Sequence, residues 1–322
     1  MSPPPPPLGR SRRRGGRTGR AFDPALGDGE LIDVRSQFAQ GRWTRARSLL
    51  VATGSDWDRR GHRILALAAV PSAAGWAADW LLAEPDSADA TTLLACAGVV
   101  RSRRPGAGAE ERDRAREACL TAAALDPADP TPWLGLMALD RAHGTHEAAA
   151  GHFEEIRARH PEHHHGHHLM TASLAETNPG SDPLHAVYDF AAWAAEQAPA
   201  DSPLAVLPVV AHAERYRVLA AAAAGAVPDD PAASGHWSGR RARQVMKAAF
   251  DWWLEWERED HPRHHTDLNF LAHAKICEGR PAEAAALFHR IGPHATEVPW
   301  SYAGRDPYPA FVAARTLALG AP

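Results

Sequence analysis

Residues that build sheets and covalent staples are scarce in this sequence. Tyrosine occurs 4 times and cysteine 3 times in 322 residues, and runs of β-branched side chains are few. That composition excludes an extensive β-sheet. Cys96, Cys119 and Cys277 cannot all pair with one another, and nothing around them suggests a secreted disulfide framework. Reduced, buried thiols are expected instead. No apolar run reaches the ~18 residues of a membrane span, so a cytoplasmic location is expected. Several catalytic signatures are missing as well: no P-loop, no dinucleotide glycine fingerprint, no GxSxG and no HExxH. The carboxylates fall mostly on helix surfaces, where solvation explains them. The sequence therefore predicts a non-catalytic protein with no cofactor.

Negative charge is absent from the first twenty residues, where Arg10, Arg12, Arg13, Arg14, Arg17 and Arg20 stand without an acid. The whole chain carries −4, which leaves the remainder strongly acidic, with 29 basic against 39 acidic groups. A basic tail on an acidic body argues against general nucleic-acid binding by the folded part. Residues 1–27 are rich in Pro, Gly and Arg and have no periodicity, so a disordered tail is expected there. The paired arginines invite an export-signal reading, but the following FDPALGDGE is not the apolar segment such a signal needs. The folded domain is expected over residues 28–322.

What is abundant is helical patterning. Hydrophobic residues make up 45% of the chain, and 11 tryptophans are available to fill gaps between helices. The clearest stretch runs from Pro130 to His163. Trp133, Leu136, Leu139 and Ala142 recur every three positions, Gly144 breaks the helix, and Ala149, Phe153 and Ile156 form a second stripe. Thr145, two residues ahead of Glu147, suits a helix start, and Pro161 stops the chain. Two helices joined so tightly must lie antiparallel, stripe against stripe.

This stretch resembles the tetratricopeptide repeat (TPR), with Trp133, Leu136, Gly144, Ala149, Phe153 and Pro161 at consensus positions. Met137 and Asp140 depart from it, Asp140 standing where the family has Tyr. A second match holds Leu268, Leu271, Ala272, Gly279, Ala284, Phe288 and Ile291, with Lys275 in place of the Tyr and an early closing Pro293. Weaker hairpins are predicted at 29–53, 57–82, 90–125 and 163–198, then a long helix from Ser202 to Ala224 and another from Trp237 to Glu259. In the latter, Val245, Ala249, Trp252, Trp253 and Trp256 read as a core face. Tyr308 to Leu319 reads as a terminal cap. The resemblance, shared in general character with TPR-like proteins of GC-rich bacteria, implies an all-α, right-handed solenoid of about seven antiparallel helical hairpins with a C-terminal capping helix.

It also implies a function. In that family the first helices line a concave groove that holds a peptide. The corresponding positions here are Thr131, Leu134, Ala138, Arg141 and Ala142, and later Thr266, Asn269, His273, Ile276 and Cys277. Leu134 and Ala138 stand where the carboxylate-clamping members carry Lys and Asn, so a helix or an apolar peptide is the expected occupant. A protein-binding scaffold is thus the leading expectation. An adaptor binding nucleic acid through the Arg10–Arg20 tail is a second.

Histidine supplies the third. Of 19 histidines, His160, His163, His164, His165, His167 and His168 lie within nine positions. The pairs His163/His167 and His164/His168 are at i, i+4, which places both imidazoles on one helix face, as a metal ion requires. A shorter cluster, His261-Pro262-Arg263-His264-His265, shares the form HPxHH with His160–His164. Both fall where one repeat turns into the next, a place that suits solvated histidines equally well. Their separation of about three repeats predicts that they do not share a site.

Overall fold

The computed structural model describes residues 22–178, 180, 184–223, 233–255 and 260–320. Among these the chain forms 16 α-helices with short 3-10 turns and no strand. The first half runs α1 (Gly29–Phe38), α2 (Trp43–Thr53), α3 (Trp57–Ala68), α4 (Ala73–Ala83), α5 (Ala88–Ser102), α6 (Ala109–Leu125), α7 (Thr131–His143) and α8 (His146–Arg159). The second half runs α9 (His164–Glu176), α10 (Ala186–Gln197), α11 (Leu207–Ala222), α12 (Gly235–Ser238), α13 (Arg240–Glu255), α14 (His264–Cys277), α15 (Pro281–Ile291) and α16 (Pro307–Leu319). No single described helix is long and apolar enough to cross a membrane.

Local chemistry explains the starts and stops. Side chains of Asp28, Asp56, Ser87 and Thr145 accept backbone N–H groups in the first turns of α1, α3, α5 and α8, satisfying donors that a helix leaves open. The helix expected from Ser202 opens as a 3-10 turn, Pro203–Val206. The α-helix proper begins at Leu207, so Pro208 falls in its first turn, where its missing N–H costs nothing. The single helix expected over 237–259 is divided, because Gly239 is extended (φ −65°, ψ 157°) between α12 and α13.

Neighbouring helices pack in pairs: α5 on α4 and α6, α7 on α6 and α8, α14 on α15, and α15 on α16. Beyond these pairs, α3 packs on α5 and α7, α7 on α9, α9 on α11, and α11 on α14. The first helices of successive hairpins therefore form a shared inner layer. One large core gathers Leu31, Phe38, Ile64, Leu67 and Trp80, with Trp43 stacked on Trp80 at 5.6 Å. Another gathers Trp237, Trp253, Phe288, Trp300 and Phe311. Each such fully buried side chain contributes roughly 1.5–3 kcal/mol. Trp252 is half-buried beside this core, and Trp256 lies outside the described residues.

The apolar positions that carry the TPR resemblance are buried in both stretches, Leu136, Ala149 and Phe153 in one and Leu271, Ala284 and Phe288 in the other. The two departures at the Tyr position share a different chemistry. Asp140 is buried against Arg116 and accepts from His152 Nε2 at 2.9 Å. Lys275 is buried 3.0 Å from both Glu278 and Glu283. A buried charge held by partners replaces the ring in each case.

Part of the segment expected to be a disordered tail is packed on the folded body. Ala25 is fully buried, Phe22 packs 6.4 Å from the Tyr308 ring, and His62 Nε2 lies 3.3 Å from the Ala25 carbonyl. Residues 22–27 belong to the folded body, because their apolar side chains close one of its sides. The arginines of residues 10–20 lie outside the described residues.

Candidate metal centre

Asp58 and Asp267 organise the histidine-rich region. Asp58, on the first turn of α3, accepts the backbone N–H of His164 at 2.9 Å and the Nε2–H of His160 at 3.0 Å. It thereby caps α9 from a helix 106 positions away in sequence. Asp267, on α14, lies 2.9 Å from His164 Nε2 and 3.3 Å from His168 Nε2. The His168 contact is outside hydrogen-bonding geometry, and its Nε2 is otherwise without a hydrogen bond. One ligand atom from each of His164, His168 and Asp267 lies within 4.8 Å of the other two, and all three residues are buried.

Gly166 allows this placement. A Cβ there would sit 3.1 Å from Ile156 Cγ2, so glycine lets α9 press against α8 while His164 and His168 turn toward α14. The two HPxHH clusters, expected to stay apart, meet: the rings of His164 and His261 are 4.2 Å apart. Side chains of the inner helices α9 and α14 meet in this cluster. His261 also lines a cavity of about 310 Å3 together with Asp58, His160 and Trp57, which brings solvent-sized space close to the buried cluster.

Burial drives the electrostatics. Desolvation pushes the His164 imidazole well below its ordinary value, against the pull of Asp267, so that ring is neutral. Burial also favours the neutral form of Asp267, but the His164 hydrogen bond and the electrostatic interaction with the two neighbouring imidazoles outweigh it and hold the carboxyl far below its usual range. Asp58 is likewise held low, its burial outweighed first by the His160 hydrogen bond and then by the electrostatic pull of the surrounding imidazoles. The same Asp58 bond raises His160.

Of the five expected metal histidines, only two converge. His160 is taken by Asp58. His163 caps α9, its Nδ1 accepting the Gly166 N–H at 3.1 Å, which leaves the proton of the neutral ring on Nε2. His167 donates from Nδ1 to the His163 carbonyl at 3.0 Å and packs edge-on to Phe153. The i, i+4 spacing is real in both pairs, but only His164/His168 faces a carboxylate. Asp58 and Asp267 escaped sequence reasoning, and His261 was assigned to a separate cluster. The repeated HPxHH form was the one signal that could have joined them.

The expected groove positions are mostly covered. Thr131, Leu134, Asn269 and His273 are buried. Gly61 on α3 presses toward α7 here, its Cβ position 3.6 Å from Thr131 Oγ1 and 3.9 Å from Leu134 Cδ2. Asn269 is consumed internally: its amide donates to the His265 and His294 carbonyls and its Oδ1 accepts Trp300 Nε1–H at 2.7 Å. His273 sits among the rings of Trp237, Trp300 and Tyr302. Ala138, Arg141 and Ala142 differ, lining a cavity of about 220 Å3 with Arg103, Leu169 and Glu176. No protein-family model matches the chain, and no curated protein sequence matches it.

Proposed function

We propose that this protein is a non-catalytic, divalent-metal-binding helical protein, with His164, His168 and Asp267 as its ligands. The observation that carries this reading is the convergence of two imidazole nitrogens and one carboxylate, all buried, from helices far apart in sequence. Metal–ligand bonds of about 2.0–2.2 Å separate neighbouring ligand atoms by roughly 3–3.4 Å, and Asp267 Oδ1 lies 3.1 Å from His164 Nε2 and 3.3 Å from His168 Nε2. Two nitrogens and one oxygen suit zinc or another late first-row ion better than magnesium or calcium, which take all-oxygen shells. Bound there, the ion would clasp α9 to α14. The helical order supports a TPR-like solenoid that curls until these inner helices touch. Three buried cysteines that form no disulfide suit a reducing compartment such as the cytoplasm.

Zinc titration of metal-stripped protein tests the reading. One ion per chain is expected, with a rise in Tm set by ligand excess over Kd. Asp267→Asn and His168→Ala should abolish that uptake, while His160→Gln, at a histidine already engaged by Asp58, should retain it. Equal zinc uptake by the wild type and the His168→Ala variant sinks the proposal, as does uptake of several ions without a shift in Tm.

The peptide-binding scaffold remains a second reading, favoured by the cavity that Ala138, Arg141 and Ala142 line. Its occupant would enter beside the Arg141–Glu176 ion pair of 2.9 Å.

A further inference from the structure

On another side of the same region, a separate cavity of about 340 Å3 lies between α3, the first described turn of the chain, the start of α14 and residues 295–298. Its walls are largely apolar, with Phe22, Leu65 and Val298 among them, and Thr266 adds a hydroxyl; two exposed carboxylates also line it, Asp23, paired with Arg35 at 3.3 Å, and Glu297. Two nitrogen-bearing side chains face this space in an unusual condition. Arg263 lines it with a buried Nε that makes no hydrogen bond, and His165 lines it with a buried Nδ1 that makes none either. The two carboxylates that act on Arg263 through space are committed elsewhere, Asp267 to His164 and His168, and Asp58 to His160 and the His164 amide.

A guanidinium held in a low-dielectric wall without a hydrogen-bonded counter-ion is costly for a fold to keep. Burial here opposes the arginine's charge. The arrangement becomes favourable once an anion enters, because a guanidinium offers parallel N–H donors that match a carboxylate. We infer that this cavity is a binding site for a small monocarboxylate with a compact apolar body. The carboxylate lies against Arg263, takes a further hydrogen bond from His165, and the apolar body packs on Phe22, Leu65 and Val298. Arg263 is the one guanidinium in the wall, and the exposed carboxylates Asp23 and Glu297 line the same space, so the site suits a single negative group held at Arg263 and disfavours a multiply charged phosphate ester. The volume, at the low end of the ~300–1,000 Å3 typical of small-molecule sites, sets the size. This inference does not depend on the metal reading.

Phenylacetate is the probe, with its neutral amide, phenylacetamide, as the control, in calorimetric titrations of the full chain. Phenylacetate should bind one per chain and raise Tm, and phenylacetamide should bind about ten- to a hundredfold more weakly. Arg263→Met keeps the length of the side chain and removes its charge. It should lose phenylacetate binding by a similar factor while the ligand-free variant melts no lower than the wild type, since an uncompensated charge has left the wall. Val298→Trp fills the cavity from its exposed rim and should also block binding without touching the charge. The inference fails if the wild type does not bind phenylacetate, if Arg263→Met binds it unchanged, if Val298→Trp does, or if inorganic phosphate binds the same site more tightly.

Discussion

Asp267 Oδ2 lies 2.9 Å from His164 Nε2, although 103 positions separate the two residues in sequence. With Asp58 capping α9 from α3, this contact joins three inner helices that belong to three different hairpins. A chain that merely stacked repeats would leave each inner helix in touch with its neighbours alone. The polar contacts at the inner layer are therefore long-range, and they bury ionisable groups that must all be satisfied together.

That burial sets the response to acid. His62 and, deeper in the second core, His212 and His273 are held neutral by desolvation, their values pushed down to about 4, 3 and 3. Nearby positive groups push the same way: Arg263 for His62, His236 and Arg241 for His212, and Arg305 for His273. The sign follows from linkage. Each ring is less basic folded than unfolded, where its value is 6.5, so its stabilisation is complete above that value. It shrinks as the pH falls and the unfolded chain takes up protons first. Each of the three should cost roughly 2 kcal/mol at pH 5, a large share of a typical 5–15 kcal/mol. Urea midpoints measured from pH 7.5 to 4.5 should fall steeply below pH 6.5. A flat profile over that range would mean that these rings are not buried as described.

Much of the helical order was legible in the sequence, and the site was only half legible. The starts at Asp28, Asp56 and Thr145 and the breaks at Gly144 and Gly279 are local chemistry, which a sequence displays directly. The pair His164/His168 could be read for the same reason, since i, i+4 spacing is a property of one helix. Asp267 could not, because its partnership depends on how far the hairpins curl, and no local pattern encodes that. The groove positions misled for a related reason. Thr131 and Leu134 occupy the family's outward places, yet Gly61 lets α3 close over them.

Asn269 provides a direct test of that correction. Its side chain donates to two carbonyls and accepts from the Trp300 indole, so it holds α14 against the segment that follows α15. Asn269→Ala strands a buried indole N–H and should cost about 2–4 kcal/mol in urea unfolding. Asn269→Asp retains the acceptor for Trp300 but turns a buried carboxylate oxygen toward the two carbonyls, and at neutral pH should cost at least as much as Asn269→Ala. A residue serving a peptide groove would change stability by no more than ~0.5 kcal/mol on truncation, and that result would return Asn269 to the surface.

Lys275 stands where the repeat pattern expects a ring, and its charge is held by Glu278 and Glu283 while Phe250 lies 4.8 Å from its Nζ. Glu278 is nearly as buried as Lys275, with side-chain exposures of 4% and 2%, whereas Glu283 is 28% exposed. Lys275→Met should therefore strand the Glu278 carboxylate and cost about 3–5 kcal/mol. Lys275→Met with Glu278→Leu removes both charges and should recover most of that loss, giving a strong coupling in a double-mutant cycle. The single variant should also show its own pH signature. Burial already raises the Glu278 carboxyl above its ordinary value, and Lys275 is the chief force holding it down. Without the lysine the folded state favours the protonated acid still more, so the variant's deficit should narrow as the pH falls toward the ordinary glutamate range. A deficit that stays constant with pH would show that the loss comes from packing around Phe250 and not from the stranded carboxylate.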